Sequence, residues 1–194
     1  MRFVHKFDIL RYTLLLKIQI NKKLDVRTAG MESRVSGTCL HVIFLDFDNT
    51  VDERLKEELQ YLQEVFEIGN FYVFWTREDG RHAVCIDALR FTDSKEIVDF
   101  SSCDLKFKYA PRINEYTTWV LRLEGKGKRD APKYLYTVES PHEGKNPQSR
   151  GHAKFLEKFG LKIDLKNPVG TEELLVQDYS TRSKPDKEED EKDE

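Results

Sequence analysis

The chain has 194 residues, enough for one domain with a core of ordinary size. Its 35 acidic and 32 basic residues nearly cancel at a net −3, which excludes a nucleic-acid binder driven by bulk charge alone. No apolar run approaches the ~18 residues of a membrane span, and Cys39, Cys85 and Cys103 form no CxxC pair, as expected of reduced, mostly buried thiols in a cytoplasmic protein.

Residues 1–38 read as an N-terminal extension, loosely docked. An apolar run at residues 9–20 is interrupted by Arg11 and Lys17 and followed by Lys22, Lys23 and Asp25. No small-residue cleavage site stands out, so an amphipathic strand or helix against the domain is expected rather than a signal peptide. The alternative is that Met31 is the true start, the first thirty residues being a poorly ordered extension.

A single catalytic-type domain is expected over residues 39–180. It opens with the apolar strand His41-Val42-Ile43-Phe44-Leu45, which runs into Asp46-Phe47-Asp48-Asn49-Thr50. Side chains alternate along a strand, so Asp46 and Asp48 share a face. Two such carboxylates repel each other unless a cation, a proton or hydrogen-bond donors intervene. Mg²⁺ suits the pair, because it takes one or two carboxylates and leaves its other positions to water and phosphate oxygens. The plainer alternative is a strand ending in a polar turn. Leu55, Leu59, Leu62 and Phe66 then recur at helical spacing, and Gly69 and Asn70 stop the helix. Residues 71–76 are β-branched and aromatic and predict a strand. Arg77-Glu78-Asp79-Gly80 predicts a hairpin turn, and residues 82–87 the return strand.

Further along, residues 93–100 predict a short helix and residues 104–109 a strand or extended segment. Residues 116–123 and 134–138 predict a second hairpin through the basic turn Gly125-Lys126-Gly127-Lys128-Arg129. Ser149 is placed to cap a last helix over 150–159, closed by Gly160. Residues 181–194 hold no apolar side chain to bury and read as an acidic disordered tail.

The order strand, helix, strand, strand, helix, strand predicts an α+β fold. Its core would be an RRM-like or ferredoxin-like split βαβ unit with a mainly antiparallel sheet, plus an additional β-hairpin and a C-terminal helix. A doubly wound parallel sheet would need a helix after Thr76, where the hairpin stands.

Four stretches resemble the archaeo-eukaryotic primase superfamily. Phe44-Leu45-Asp46-Phe47-Asp48 is similar to its first motif. Gly80-Arg81-His82-Ala83-Val84 resembles its second, Ser-x-His, with Gly80 in place of Ser. Cys103-Asp104 resembles its third, and Val120-Leu121-Arg122-Leu123 with Lys126 and Lys128 its basic strand and turn. The resemblance spans about residues 39–129. It implies a metal-dependent nucleotidyl transferase, like the catalytic subunit of a small DNA primase or polymerase. Asp46, Asp48 and Asp104 would hold Mg²⁺ or Mn²⁺, and His82 would contact the triphosphate. Arg81, Arg122, Lys126 and Lys128 would neutralise phosphate charge. The implied partners are a nucleic acid template, nucleoside triphosphates and a replication partner subunit, with no membrane involved. The chemistry is coherent on general grounds: two metal ions ~4 Å apart need carboxylates to hold them, and phosphoryl transfer is mostly positioning and electrostatics.

Two other readings use the same residues. Asp46-Phe47-Asp48-Asn49-Thr50-Val51 also resembles the first motif of haloacid dehalogenase-like phosphatases, with Asp46 as nucleophile and Asp48 as acid and base. Thr76, Lys154 or Lys158, and Asp178 would then complete the site. Alternatively, Phe71, Tyr72, Trp75 and Tyr109 would stack bases on a non-catalytic, RRM-like binding sheet. His142 and His152, in and beside a loop of turn formers, read as structural or solvated residues.

Overall fold

The computed structural model describes residues 2–9, 12–19, 26–113, 118–123 and 130–181. Two units are distinguished, residues 1–26 with 180–194 and residues 27–179. The first contains β1 (Arg2–Ile9) and β2 (Tyr12–Gln19), an antiparallel hairpin in register from Arg2↔Gln19 to Ile9↔Tyr12. The second, the body, is α+β with mostly antiparallel sheets and four helices among the described residues. In chain order its elements are β3 (Val26–Glu32), β4 (Leu40–Asp48), α1 (Asp52–Phe66), β5 (Phe71–Arg77), β6 (Gly80–Arg90), α2 (Phe91–Phe100), α3 (Leu105–Ile113), β7 (Val120–Arg122), β8 (Lys133–Val138), β9 (Gln148–Ser149), α4 (Arg150–Glu157), β10 (Pro168–Val169) and β11 (Val176–Thr181).

β6 lies between β4 and β5 and is antiparallel to both, so β4 and β5 run in the same direction with α1 linking them. β8 pairs antiparallel with the other side of β5. Short β9 continues on β6 at Asp87↔Gln148, with β10 parallel to it. A second sheet has the order β11-β3-β7.

Residues 42–45 of β4 are completely buried, which a continuous apolar run permits only where both faces of the sheet are covered. One face carries Phe44, Asp46, His82 and Phe74. There α4 and the residues just after it pack, with His152 against Phe44 (ring centroids 5.7 Å), Phe155 against Phe74 (6.3 Å) and Phe159, beyond the helix end, also against Phe74 (5.0 Å). The opposite face carries Phe47, Arg81 and Tyr136. Asp52 at the head of α1 meets Arg81 and Tyr136 there, and Leu55, Leu59 and Leu62 bury the inner stripe of that helix. Each fully buried side chain of this size contributes roughly 1.5–3 kcal/mol.

Two expectations are corrected. Residues 104–109 are not extended: Asp104 Oδ2 accepts the Phe107 N–H at 3.2 Å and starts α3, which buries Phe107 and Pro111, four residues apart. Among the described residues of 116–138, the two strands do not pair with each other as a hairpin. β7 pairs with β3 and β8 with β5, because Trp119 is drawn into the core, where it stacks on Phe91 at 5.2 Å. Ser33 fastens it there, its N–H donating to Trp119 O (2.8 Å) and its Oγ accepting the Trp119 N–H (3.1 Å). The body spans residues 27–179; within it β3 supplies the pairing with β7, and Met31 and Val35 are buried. The tail from 182 onward lies outside the described residues.

Trp119 therefore joins two segments through Ser33, 86 residues away in sequence. Trp119→Ala is expected to lower the unfolding free energy by about 3–5 kcal/mol in urea denaturation; a loss under about 1 kcal/mol, the range of surface substitutions, would take Trp119 out of the core.

Candidate functional site

Register builds the site. Antiparallel pairing of β4 with β6 sets Asp46 opposite His82 and Asp48 opposite Gly80. His82 Nε2 lies 3.5 Å from Asp46 Oδ1; the His82 side chain is 10% exposed and that of Asp46 32%. Asp48, at 43%, is the open end of the pair. Burial, then the charge of Arg122, pushes the His82 imidazole down to about 3. Burial, then the negative charges of Asp48 and Asp104, pushes the Asp46 carboxyl up to about 7, against the opposing pull of Arg77 and Arg122. At neutral pH the contact is thus between a neutral imidazole and a carboxyl held well above the usual carboxylate range, not an ion pair.

Asp104 enters through the backbone. Its N–H donates to Asp46 O at 2.7 Å, which lays the start of α3 along the end of β4. Its carboxylate caps α3. Arg122, on β7, is half-buried, and its Nη1 donates to Asp130 O at 3.1 Å.

The turn after β5 closes the open end. Asp48 is followed by Asn49 in the left-handed region (φ 56°), a conformation Asn tolerates better than branched residues do. Thr50 N–H then donates to Asp79 O at 3.2 Å, tying the β4–α1 loop to the β5–β6 turn. Arg81 holds the same junction from the other face of the sheet. Its Nε and Nη2 grip Asp52 at 2.9 and 3.2 Å, and its Nη1 donates to the carbonyls of Arg77, Glu78 and Gly80. The expected phosphate-binding Arg81 is committed to this clamp, on the face away from Asp46. Arg77, read in the sequence only as a turn residue, is at the site instead. Its Nη2 lies 2.6 Å from Asp48 Oδ1 and its Nε 2.9 Å from Asp79 Oδ1. A cation at the last strand position before a hairpin turn, in a strand that α1 links to the acidic one, is the signal that would have found it.

The structure therefore gathers Asp46, Asp48 and His82, with Arg77 and Arg122 close enough for Asp46 to feel their charge. Lys126 and Lys128 lie outside the described residues. Among the described residues no group of three or more His, Cys, Asp or Glu side chains is placed to hold a metal ion, so Asp104 is not assembled with the pair into a three-carboxylate, two-metal set. Asp46 and Asp48 are the pair that would hold a divalent ion such as Mg²⁺ or Mn²⁺, a donor set that leaves positions for water and phosphate oxygens; the raised Asp46 carboxyl records the repulsion between them that a cation would relieve.

The features behind the other readings are placed as follows. Phe71 and Tyr72 are buried in the core, Trp75 is half-buried beneath the Lys133 ammonium (5.3 Å), and Tyr109 alone of the four is exposed. Thr76 is buried at the end of β5, Lys154 pairs with Glu172, and the side chain of Asp178 is outside the described set. His152 is buried and structural: Nδ1 is 2.8 Å from Ser149 Oγ and Nε2 2.9 Å from Glu32 O. Cys85 and Cys103 are buried free thiols, while Cys39 is exposed. No helix among the described residues is long and apolar enough to cross a membrane. No family model, curated protein or solved structure matches the chain.

Asp46 leaves a signature in pH dependence. Between about pH 4 and 7 the folded protein keeps a proton that the unfolded chain has released, so this group makes stability fall as pH rises through that window. The depressed histidines, His41, His82 and His152, tilt the other way, so the comparison must be with Asp46→Asn. From pH 5 to pH 8 the wild type is expected to lose stability relative to Asp46→Asn by roughly 2 kcal/mol after allowance for solvent screening. Urea midpoints of the two proteins at both pH values measure it; parallel pH profiles would contradict the raised carboxyl.

Proposed function

We propose that the body is a metal-dependent nucleotidyl transferase, similar to the catalytic subunit of a small primase or polymerase, acting in the cytoplasm on a nucleic acid template. The observation that carries this reading is the register across β4 and β6, which sets His82 beside Asp46 and leaves Asp48 at the open end of the same face. The arrangement of β4, α1, β5 and β6, with two parallel strands flanking an antiparallel one, supports an RRM-like split βαβ core. It is also the order expected from the resemblance to the archaeo-eukaryotic primase superfamily.

In this reading Asp46 and Asp48 hold Mg²⁺ or Mn²⁺. Such an ion supplies neutralisation of charge on the transferring phosphoryl group and its leaving pyrophosphate. His82, neutral at working pH, donates one N–H to a phosphate oxygen without bringing a charge that Asp46 would trap. Arg122 offsets the remaining negative charge from β7. Arg81 positions the turn and takes no part in binding. Nucleoside triphosphates are the substrates, and a replication partner subunit would help a body this small to grip the template.

The phosphatase reading has less behind it. It needs a parallel sheet with the strand of Thr76 beside the strand of Asp46, and here antiparallel β6 separates them. A stacking platform has less still, since two of its four aromatics are core residues.

The deciding assay is Mn²⁺-dependent incorporation of a labelled nucleotide on a single-stranded template, with para-nitrophenyl phosphate hydrolysis run on the same preparation. Asp46→Ala and Asp48→Ala are each expected to lower incorporation by about 100-fold or more with the fold retained. Phosphate release without incorporation would favour the hydrolase, and unchanged incorporation in both variants would move the site elsewhere.

A further inference from the structure

We propose that Arg77 is a built-in counter-cation that occupies the open end of the Asp46–Asp48 site and must swing off Asp48 before a divalent ion binds there. The inference rests on the cation-binding reading above and adds to it how the site is loaded.

Three observations carry it. The guanidinium lies across two carboxylates from different strand ends, with Nη2 2.6 Å from Asp48 Oδ1 and Nε 2.9 Å from Asp79 Oδ1. The second of these contacts is poorly aligned: Nε is buried yet makes no well-formed hydrogen bond, so the guanidinium is held less firmly than its two short distances suggest. Asp48 is thereby bridged by a positive group at the position where an ion shared with Asp46 would need it. The backbone, in contrast, is fixed, because Arg81 binds the carbonyls of Arg77, Glu78 and Gly80 and is itself anchored on Asp52. Only the Arg77 side chain is left to move.

Gly80 is part of the device. A Cβ added there would stand 2.6 Å from Thr76 Oγ1, 2.7 Å from Arg77 Cγ and 3.1 Å from Arg77 Nε. The guanidinium lies over Gly80 because that residue has no side chain, which gives a physical reason for glycine at the position where the resembled motif has Ser. A larger residue there crowds Thr76 Oγ1 and the stem of Arg77, and of the two the long arginine side chain is the freer to give way. Once displaced, the guanidinium is a half-exposed cation at the mouth of the site, chemically suited to an oligophosphate.

The consequence is competition. Mn²⁺ alone has to displace an ion pair, so its affinity is held below what two carboxylates on one face would give. The test is titration of the full chain with Mn²⁺, with no nucleotide present, read by the loss of the free-ion electron paramagnetic resonance signal. Arg77→Gln is expected to tighten Mn²⁺ binding by about 3- to 10-fold, the amount a partly exposed ion pair is able to withhold. Two variants keep the charge and still loosen the bridge. Gly80→Ala displaces the guanidinium, and Arg77→Lys replaces its fork by a single point charge that cannot hold Asp48 and Asp79 through separate nitrogens. Both should tighten binding in the same direction, with melting curves reporting that each variant is folded. Asp48→Asn should abolish the gain.

If Arg77→Gln tightens binding while the folded charge-preserving variants do not, removal of a charge explains the effect and the counter-cation is overturned. If Mn²⁺ binds through Asp48 with one affinity in all of these proteins, the site stands and the role of Arg77 falls. If Mn²⁺ fails to bind wild type and variants alike at millimolar concentration, the cation site itself fails, and this inference with it.

Discussion

The placement of β6 between β4 and β5 is the constraint on which the rest of the molecule depends. It makes β4 and β5 parallel partners on either side of a central strand, with α1 spanning them on one face. It also brings Asp46 beside Phe74 and His82, which lie across one hairpin far along the chain, on the other face. One-residue slippage of β6 would turn His82 to the α1 side and bring Arg81 beside Asp46. That slip is opposed on both faces: Arg81 is held by Asp52 and three carbonyls, and Phe44 and Phe74 are packed under α4.

Electrostatics at the strand end follows from this geometry. Asp46 is driven towards the body by the apolar strand that precedes it, and it arrives beside Asp48 and Asp104 with a neutral histidine opposite. A carboxyl in that setting is destabilised in its charged form. The molecule offsets the strain with guanidinium groups, Arg77 in direct contact with Asp48 and Arg122 at longer range. Removing Asp46 relieves repulsion with Asp48 and Asp104, whereas removing Asp48 also gives up its partly exposed ion pair with Arg77.

The arginines show how far adjacent residues diverge in role. Arg77 and Arg81 stand on either side of the Glu78-Asp79 turn. Arg81 is 10% exposed, with its nitrogens spent on Asp52 and backbone, and it fixes the junction of turn and helix. Arg77 is 35% exposed and bridges two carboxylates at the rim. Their sequence contexts do not separate them; only the sheet face that each one occupies does.

Local pattern was sufficient for β4, α1, β5, the turn at Asp79-Gly80 and β6, and for the cap of α4 by Ser149, because each rests on periodicity, turn chemistry or capping within a few residues. The shared face of Asp46 and Asp48 was legible for the same reason, being a property of any strand. What the chain could not announce were pairings decided by competition for the core. Residues 116–138 carry the alternation of a hairpin, yet Trp119 gains more from burial against Phe91 and Ser33 than from a local turn, which sends β7 to β3 and leaves β8 to β5. Residues 27–38 look like an extension until β7 requires a partner. The alternating apolar residues at 104–109 fit a strand until Asp104 is anchored to Asp46 O and caps α3. The sequence by itself determined the elements and the acidic strand end; tertiary structure alone decided which cation meets which acid, because that depends on sheet register and face, which are set by the burial of distant side chains.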